Sequence, residues 1–138
     1  MKIRQIVSED FDKAYDLWKK VGLWVRPKDQ EKLRFVEMLR LNQDMCFVLE
    51  DAKEIVGTIL GSYDGRSVAV HRLAVKTEIQ KKGYGKLLLN GLEKTTKERG
   101  IKRIFLQVHT SNQEVLGFYK KLGYVDDPLI TLKKDIID

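Results

Sequence analysis

The chain has 138 residues, enough for a single domain with its own core, expected to span 1–138, and too few for two. Hydrophobic residues make up 43% and charged residues 33%, an ordinary balance for a globular domain that excludes a disordered chain. A net charge of +6 and a pI near 9.4 suit nucleic acid or an anionic cofactor equally, so charge alone does not choose.

Lys2 to Val7 alternates as a first strand, and Ser8 with Glu9 and Asp10 behind it predicts a helix start. That helix carries Phe11, Ala14, Tyr15, Leu17 and Trp18 and ends at Gly22. After the apolar link Leu23-Trp24-Val25-Arg26-Pro27, a second helix is predicted from about Asp29 to Asn42, with Leu33, Val36, Met38, Leu39 and Leu41 as its apolar set. Met45 to Glu50 and Glu54 to Tyr63 read as paired strands around the turn Asp51-Ala52-Lys53. Asp64-Gly65 is a two-residue hairpin signal leading into the strand Val68 to Val75.

Cys46 is the only cysteine, which leaves no disulfide framework and no cysteine cluster for zinc, and no metal site is expected. Its setting, Met45-Cys46-Phe47-Val48-Leu49, predicts a buried strand thiol. With no signal peptide and no apolar run near the length of a membrane span, the expected location is cytoplasmic and no membrane partner is expected.

The most informative stretch is Gln80-Lys81-Lys82-Gly83-Tyr84-Gly85, set between that strand and a helix with Tyr84, Leu88, Leu92 and Thr95 on one face and Gly100 as its C-cap. A strand-to-helix turn leaves backbone amides unpaired at a helix N-terminus, where the dipole favours negative charge. Gly83 and Gly85 let backbone approach a ligand, and Lys76, Lys81, Lys82 and Lys86 add positive charge. The P-loop pattern fails, because Leu87 follows Gly85-Lys86 and Gln80 takes the first glycine position; the dinucleotide fingerprint fails because Leu88 stands where its third glycine belongs.

Ile104 to Val108 then predicts a strand parallel to Val68–Val75, closing a strand-helix-strand unit. Ser111-Asn112-Gln113-Glu114 has the form of a capping box, opening a helix through Val115, Phe118 and Leu122 to Gly123. Tyr124-Val125 and Leu129 to Leu132 predict a closing hairpin around Asp126-Asp127-Pro128.

Gln-x-x-Gly-x-Gly at Gln80–Gly85, followed by Asn112 and then Phe118-Tyr119-Lys120-Lys121-Leu122-Gly123-Tyr124, resembles the two signatures of the Gcn5-related N-acetyltransferases, GNAT, over nearly the whole chain. The N-terminus, the Tyr63-Asp64-Gly65 turn and Val115-Leu116-Gly117 are similar to a bacterial subgroup labelled YpeA-like. The resemblance implies an α+β (α/β) fold of the acyl-CoA N-acyltransferase type, its mixed central sheet having splayed central strands and flanking helices. It also implies that acetyl-CoA is the cosubstrate. Its pyrophosphate would lie on the amides of Gln80, Lys81, Lys82, Gly83, Tyr84, Gly85 and Lys86. Its pantetheine arm would run along Leu73, Ala74 and Val75, with Asn112 and Tyr119 entering from the other side.

The implied reaction is direct attack of a primary amine on the thioester. An oxyanion donor would come from the Leu73–Val75 backbone, and the phenol of Tyr119 would be the general acid. Deprotonating a lysine side chain at pH 7 costs about 4–5 kcal/mol against about 1 for an α-amine, so a lysine acceptor has the greater need of a base. Histone-modifying relatives carry a glutamate where this chain has Ala69; Asp64, His71 and Glu78 are the candidates that remain. Acceptor contacts are expected from Trp24, Arg26 and Asp64, with Tyr63 and Arg66 nearby, while Trp18 reads as core.

The expected partner is a small-molecule or protein amine, with a homodimer open. A non-catalytic acyl-CoA sensor and a basic nucleic-acid-binding domain are the competing readings. The second would need a basic stripe with stacking aromatics, and neither an RNA-binding nor a helix-turn-helix signature appears.

Overall fold

In the computed structural model, which describes residues 1–137, the chain divides into two compact parts, Met1–Gln107 and Val108–Asp138. The first part carries a five-stranded sheet of β1 (Lys2–Gln5), β2 (Cys46–Asp51), β3 (Glu54–Tyr63), β4 (Val68–Val75) and β5 (Ile104–Phe105), in that spatial order. The β1/β2, β2/β3 and β3/β4 pairs are antiparallel and β4/β5 is parallel, as the strand-helix-strand reading requires. The mixed sheet flanked by helices is the predicted fold class.

The helices of this part are α1 (Phe11–Lys20), α2 (Lys28–Asn42) and α3 (Tyr84–Glu98). Phe11, Tyr15 and Trp18 of α1 and Phe35 of α2 form one aromatic cluster, with ring centroids 5.2–6.5 Å apart, over buried Val48 and Leu60 of the sheet. Trp18 is core, as its helical spacing predicted. Its indole Nε1 donates to Thr58 Oγ1 at 2.9 Å, so the one polar atom it carries is satisfied inside. Arg4 ties the other end of this face together, donating to Asp10 at 2.8 and 2.9 Å and to Glu50 at 3.0 Å.

Helix α2 corrects the sequence reading. Its inward residues are Glu31, Phe35, Leu39 and Asn42, while Leu33, Val36 and Leu41 are exposed. The 31-35-39-42 spacing is a regular helical face, but its two ends are polar and so hide it from a hydrophobicity count. Both polar groups are used: Asn42 Oδ1 accepts from the Tyr63 amide at 2.8 Å, and Glu31 is described below.

Helix α3 packs Leu88, Leu89, Leu92 and Thr96 against the sheet; Thr95, predicted to be inward, is only half-buried. It ends as predicted, with Gly100 at φ +73° and the Ile101 amide bonded back to Thr96 O at 3.1 Å. Glycines of β3 set how closely it approaches. A Cβ on Gly61 would stand 2.7 Å from Leu92 Cδ1 and 3.0 Å from Met45 O, and one on Gly57 would stand 2.9 Å from Leu88 Cδ1.

Three other boundaries differ. The first helix is preceded by a 3-10 turn over Ser8–Asp10, the Asp64-Gly65 turn is a four-residue connection to Val68, and β5 ends at Phe105 rather than Val108.

In the second part, a 3-10 segment (Thr110–Val115) leads into α4 (Leu116–Lys121). The predicted capping box does not form: the His109 side chain accepts from the Ser111 amide at 3.1 Å, and Asn112 is non-helical at φ −121°, ψ 39°. Gly123 ends the helix at φ +94°. The predicted hairpin of Tyr124-Val125 with Leu129–Leu132 is absent among the described residues. Val125, Leu129, Ile130 and Leu132 are all exposed, so neither alternation has a face to bury, and an isolated two-stranded hairpin has little stability of its own.

Because the contact under Leu92 includes backbone, Gly61→Val should lower unfolding stability by about 1–3 kcal/mol. Urea denaturation checks this, and stability equal to wild type would show that α3 has slack against the sheet.

Candidate active site

The site is built on β4. Its β3 side is paired from Val68 to Val75, but its β5 side is paired only at Val68–Ile104 and Ala69–Phe105, among the described residues. From Val70 onward β4 therefore presents an open edge in the middle of the sheet, where an extended ligand can pair with backbone. Midway along that edge the β3/β4 register shifts between Thr58 and Leu60, and Arg72 is left in the bulge at φ +52°. Thr58 Oγ1 donates to Arg72 O at 2.7 Å and holds the bulge from beneath.

Leu73, Ala74 and Val75 follow the bulge. Beyond them the loop is anchored by the Lys76 amide on Val56 O at 2.8 Å and by Gln80 Nε2, which reaches back to Val75 O at 2.9 Å. That bond gives the first residue of the motif a structural task. Lys81 (φ +64°) and Gly83 (φ +91°) then turn the chain into α3 through left-handed conformations. The first helical ring closes from the Leu87 amide to Gly83 O at 3.0 Å, so the amides of Tyr84, Gly85 and Lys86 point forward off the end of α3. Space over Gly83 is open, with nothing within 4 Å of an added Cβ. Lys81, Lys82 and Lys86 are exposed around it, whereas Lys76 pairs with Glu54 and Glu78 at 3.6 and 3.9 Å. Amides, helix dipole and three lysines fit a pyrophosphate.

On the other face, the link between α1 and α2 is fixed at several points. Tyr15 Oη donates to Arg26 O at 2.9 Å, Glu31 Oε1 accepts from the Arg26 amide at 2.9 Å, and Arg72 Nη1 donates to Trp24 O at 2.7 Å. The Trp24 ring is 70% exposed with the Arg26 guanidinium 4.9 Å from its centroid, a cation–aromatic platform held on a rigid base. Sequence reasoning named Trp24 and Arg26 as acceptor contacts; it did not name Arg72 and Glu31, which hold their backbone.

The base candidates fare differently. Asp64 Oδ1 accepts from the Arg66 and Ser67 amides at 2.8 and 3.1 Å, which hold its carboxyl below the usual range and commit it to the turn. Glu78 is exposed and faces Lys76. His71 Nε2 lies 2.9 Å from Ser62 Oγ; although the residue is exposed as a whole, crowding by its surroundings and then the Arg72 charge lower its pKa, so its imidazole is neutral at pH 7.

In the second part, Tyr119 stacks edge-on against Phe118 and Tyr124 at 5.1 and 5.9 Å between centroids. The Tyr124 amide bonds to Tyr119 O at 3.1 Å and closes the end of α4 around it. Burial pushes the phenol above its ordinary value, which keeps it protonated at neutral pH. Asn112 stands in the kink of the 3-10 segment, its amide bonded to His109 O at 2.8 Å.

Fold, open β4 edge and anion-binding turn together define an acyl-CoA-dependent transferase. Residues 3–124 match the model of the Acetyltransferase (GNAT) family, and the chain belongs to that family, whose cosubstrate is acetyl-CoA. Among solved structures it is similar to Ard1 from Thermoplasma volcanium, with 24% identity and a TM-score of 0.79 over 90% of this chain and 82% of that one. The PaiA N-acetyltransferase from Thermoplasma acidophilum in complex with coenzyme A gives 22% and 0.78 over 94% and 92%. The ribosomal-protein-S18-alanine N-acetyltransferase from Escherichia coli gives 20% and 0.74 over 88% and 76%.

A β-branched residue at Gly83 would have to leave φ +91° and rotate the amides that follow it. Gly83→Val should weaken acetyl-CoA binding at least tenfold in calorimetry with little change in melting temperature; undiminished affinity would remove the turn from the binding site.

Proposed function

We propose that this chain, as one domain over 1–138, transfers the acetyl group of acetyl-CoA to a primary amine by direct attack on the thioester, and that its acceptor is a small molecule or a protein amine. The observation that carries the reading is the open edge of β4 followed, after Lys76 and a 3-10 turn over Thr77–Ile79, by the anion-binding turn at α3, since a cosubstrate with an extended amide-bearing arm and a pyrophosphate needs those two features in that order.

In this reading the amides of Lys81 to Lys86 hold the pyrophosphate and the backbone of Leu73 to Val75 takes the arm. A backbone amide of that segment steadies the oxyanion, a service worth roughly 3–4 kcal/mol where it has been removed elsewhere. Asn112 contributes to cofactor binding. Tyr119 supplies the proton that the departing thiolate takes up. Its raised pKa supports that role, because the phenol keeps its proton and stays neutral across the whole neutral range. Trp24 and Arg26 present the platform for the acceptor, and with Arg26 over the Trp24 ring and Lys19 and Lys28 over the Tyr15 ring that surface favours an acceptor bearing an anionic or aromatic group over a polycation. Asp64, spent on its turn, is a weaker acceptor contact than either, and His71, whose lowered pKa leaves the imidazole neutral, remains among the base candidates. A YpeA-like affiliation, a cytoplasmic location and a homodimer complete the proposal. Among the described residues no helix is long and apolar enough to cross a membrane.

Tyr119→Phe should cut turnover at least tenfold across a panel of peptide, lysine and small-molecule amines while leaving coenzyme A affinity within about twofold. Because the phenol's pKa is raised, wild-type activity should persist through pH 9 and fall only as pH rises past the ordinary tyrosine value, a limb absent from the variant. Unchanged turnover in Tyr119→Phe would remove the acid role. Coenzyme binding without turnover of any amine would favour the sensor reading.

A further inference from the structure

Glu31 is 4% exposed on α2, an unusual place for a carboxylate, and the proposed chemistry makes no use of it. Its Oε1 atom gathers three groups: the Arg26 amide at 2.9 Å, Arg72 Nη2 at 3.2 Å and Arg26 Nη1 at 3.6 Å. Arg72 is the bulge residue of β4. Its guanidinium lies 5.0 Å from the Trp18 ring centroid, bonds to Trp24 O through Nη1 and meets Glu31 through Nη2. Its own carbonyl is held by Thr58, which in turn accepts from Trp18. A non-glycine residue at φ +52° is held there only by such surroundings. Here the backbone is clamped from one side by Thr58 and the side chain from the other by Glu31.

We infer that Glu31 is a positioning residue for the reaction. Through Arg72 it fixes the bulge that aims the backbone of Leu73 and Ala74, and through the Arg26 amide it fixes the Trp24–Arg26 link, so that the acceptor platform and the thioester-facing strand share one buried anchor. The inference rests on the assignment of Leu73–Val75 to the acetyl group. Cutting the anchor lets the bulge relax and turns the amide that faces the thioester carbonyl, while the turn at Lys81–Lys86, built from other residues, keeps its grip on pyrophosphate.

The test uses the full chain, coenzyme A and acetyl-CoA carrying carbon-13 in its thioester carbonyl, with wild type, Glu31→Ala and Glu31→Gln. Infrared difference spectra report the labelled carbonyl and calorimetry reports affinity. In wild type the bound carbonyl band should lie below that of free acetyl-CoA. In Glu31→Ala it should return most of the way to the free position, while the Kd for coenzyme A stays within about threefold. Glu31→Gln keeps a neutral acceptor oxygen and should fall between. A merely structural role would lower the melting temperature and leave the band where it is. The wild-type band position in both variants overturns the inference; should Glu31→Ala fail to fold, an intermediate band in Glu31→Gln supports it and the wild-type band overturns it. A wild-type protein that binds neither ligand overturns the cofactor assignment, and the coupling with it, at the first titration.

Discussion

One constraint governs the first part of this molecule: a strand that is paired from Val68 to Val75 on one side, apart from the bulge at Arg72, and among the described residues for two residues on the other. Unpaired backbone in the middle of a sheet is costly unless something takes its place. In the proposed reading a ligand with its own amides lies in that gap, and an anion-binding turn follows at the end of it. The parallel β4/β5 pairing makes this possible, because the helix that joins two parallel strands must begin at the top of the first one. The amides at its N-terminus therefore open onto the same place as the strand's open edge.

Most of the fold was legible because its signals are local. Gly100, the Gln80–Gly85 turn and the alternation of β2 and β3 each specify an element from a few adjacent residues, and Cys46 and Trp18 declared themselves as core. What was not legible depended on distant partners. Glu31 looks like a solvated helix residue until Arg72, far along the chain, lies against it; Arg72 looks like the polar side of a strand until the bulge and its positive φ are seen. Leu33, Val36 and Leu41 outvoted the true inner face of α2 because a count of apolar residues cannot recognise a buried glutamate and asparagine as inward. The expected C-terminal hairpin failed for the opposite reason. Its alternation was real, but alternation alone supplies no surface to pack on.

The same division applies to the site. Motif spacing pointed to the turn, and resemblance to the family signature pointed to Asn112 and to Tyr119. It did not reveal that Gln80 serves by gripping Val75 O, nor that Asp64 is held by its turn. Glycine roles also separated on inspection. Gly83 is needed for its backbone conformation, whereas Gly57 and Gly61 are needed because Leu88 and Leu92 occupy the space a side chain would take. Only the first kind belongs to a recognisable motif.

Cys46, 0% exposed and with its thiol pushed by burial up to about 11, has a practical bearing on enzymology. It is the chain's single sulfhydryl, and a buried, protonated one reacts slowly with electrophilic dyes. A chromogenic thiol reagent can therefore be present throughout a reaction, recording each free coenzyme A as it is liberated against a protein that contributes almost no background. The same reagent doubles as a sentinel for integrity: colour rising to one equivalent per chain, in the absence of any acetyl donor, would signal that the sheet itself had opened.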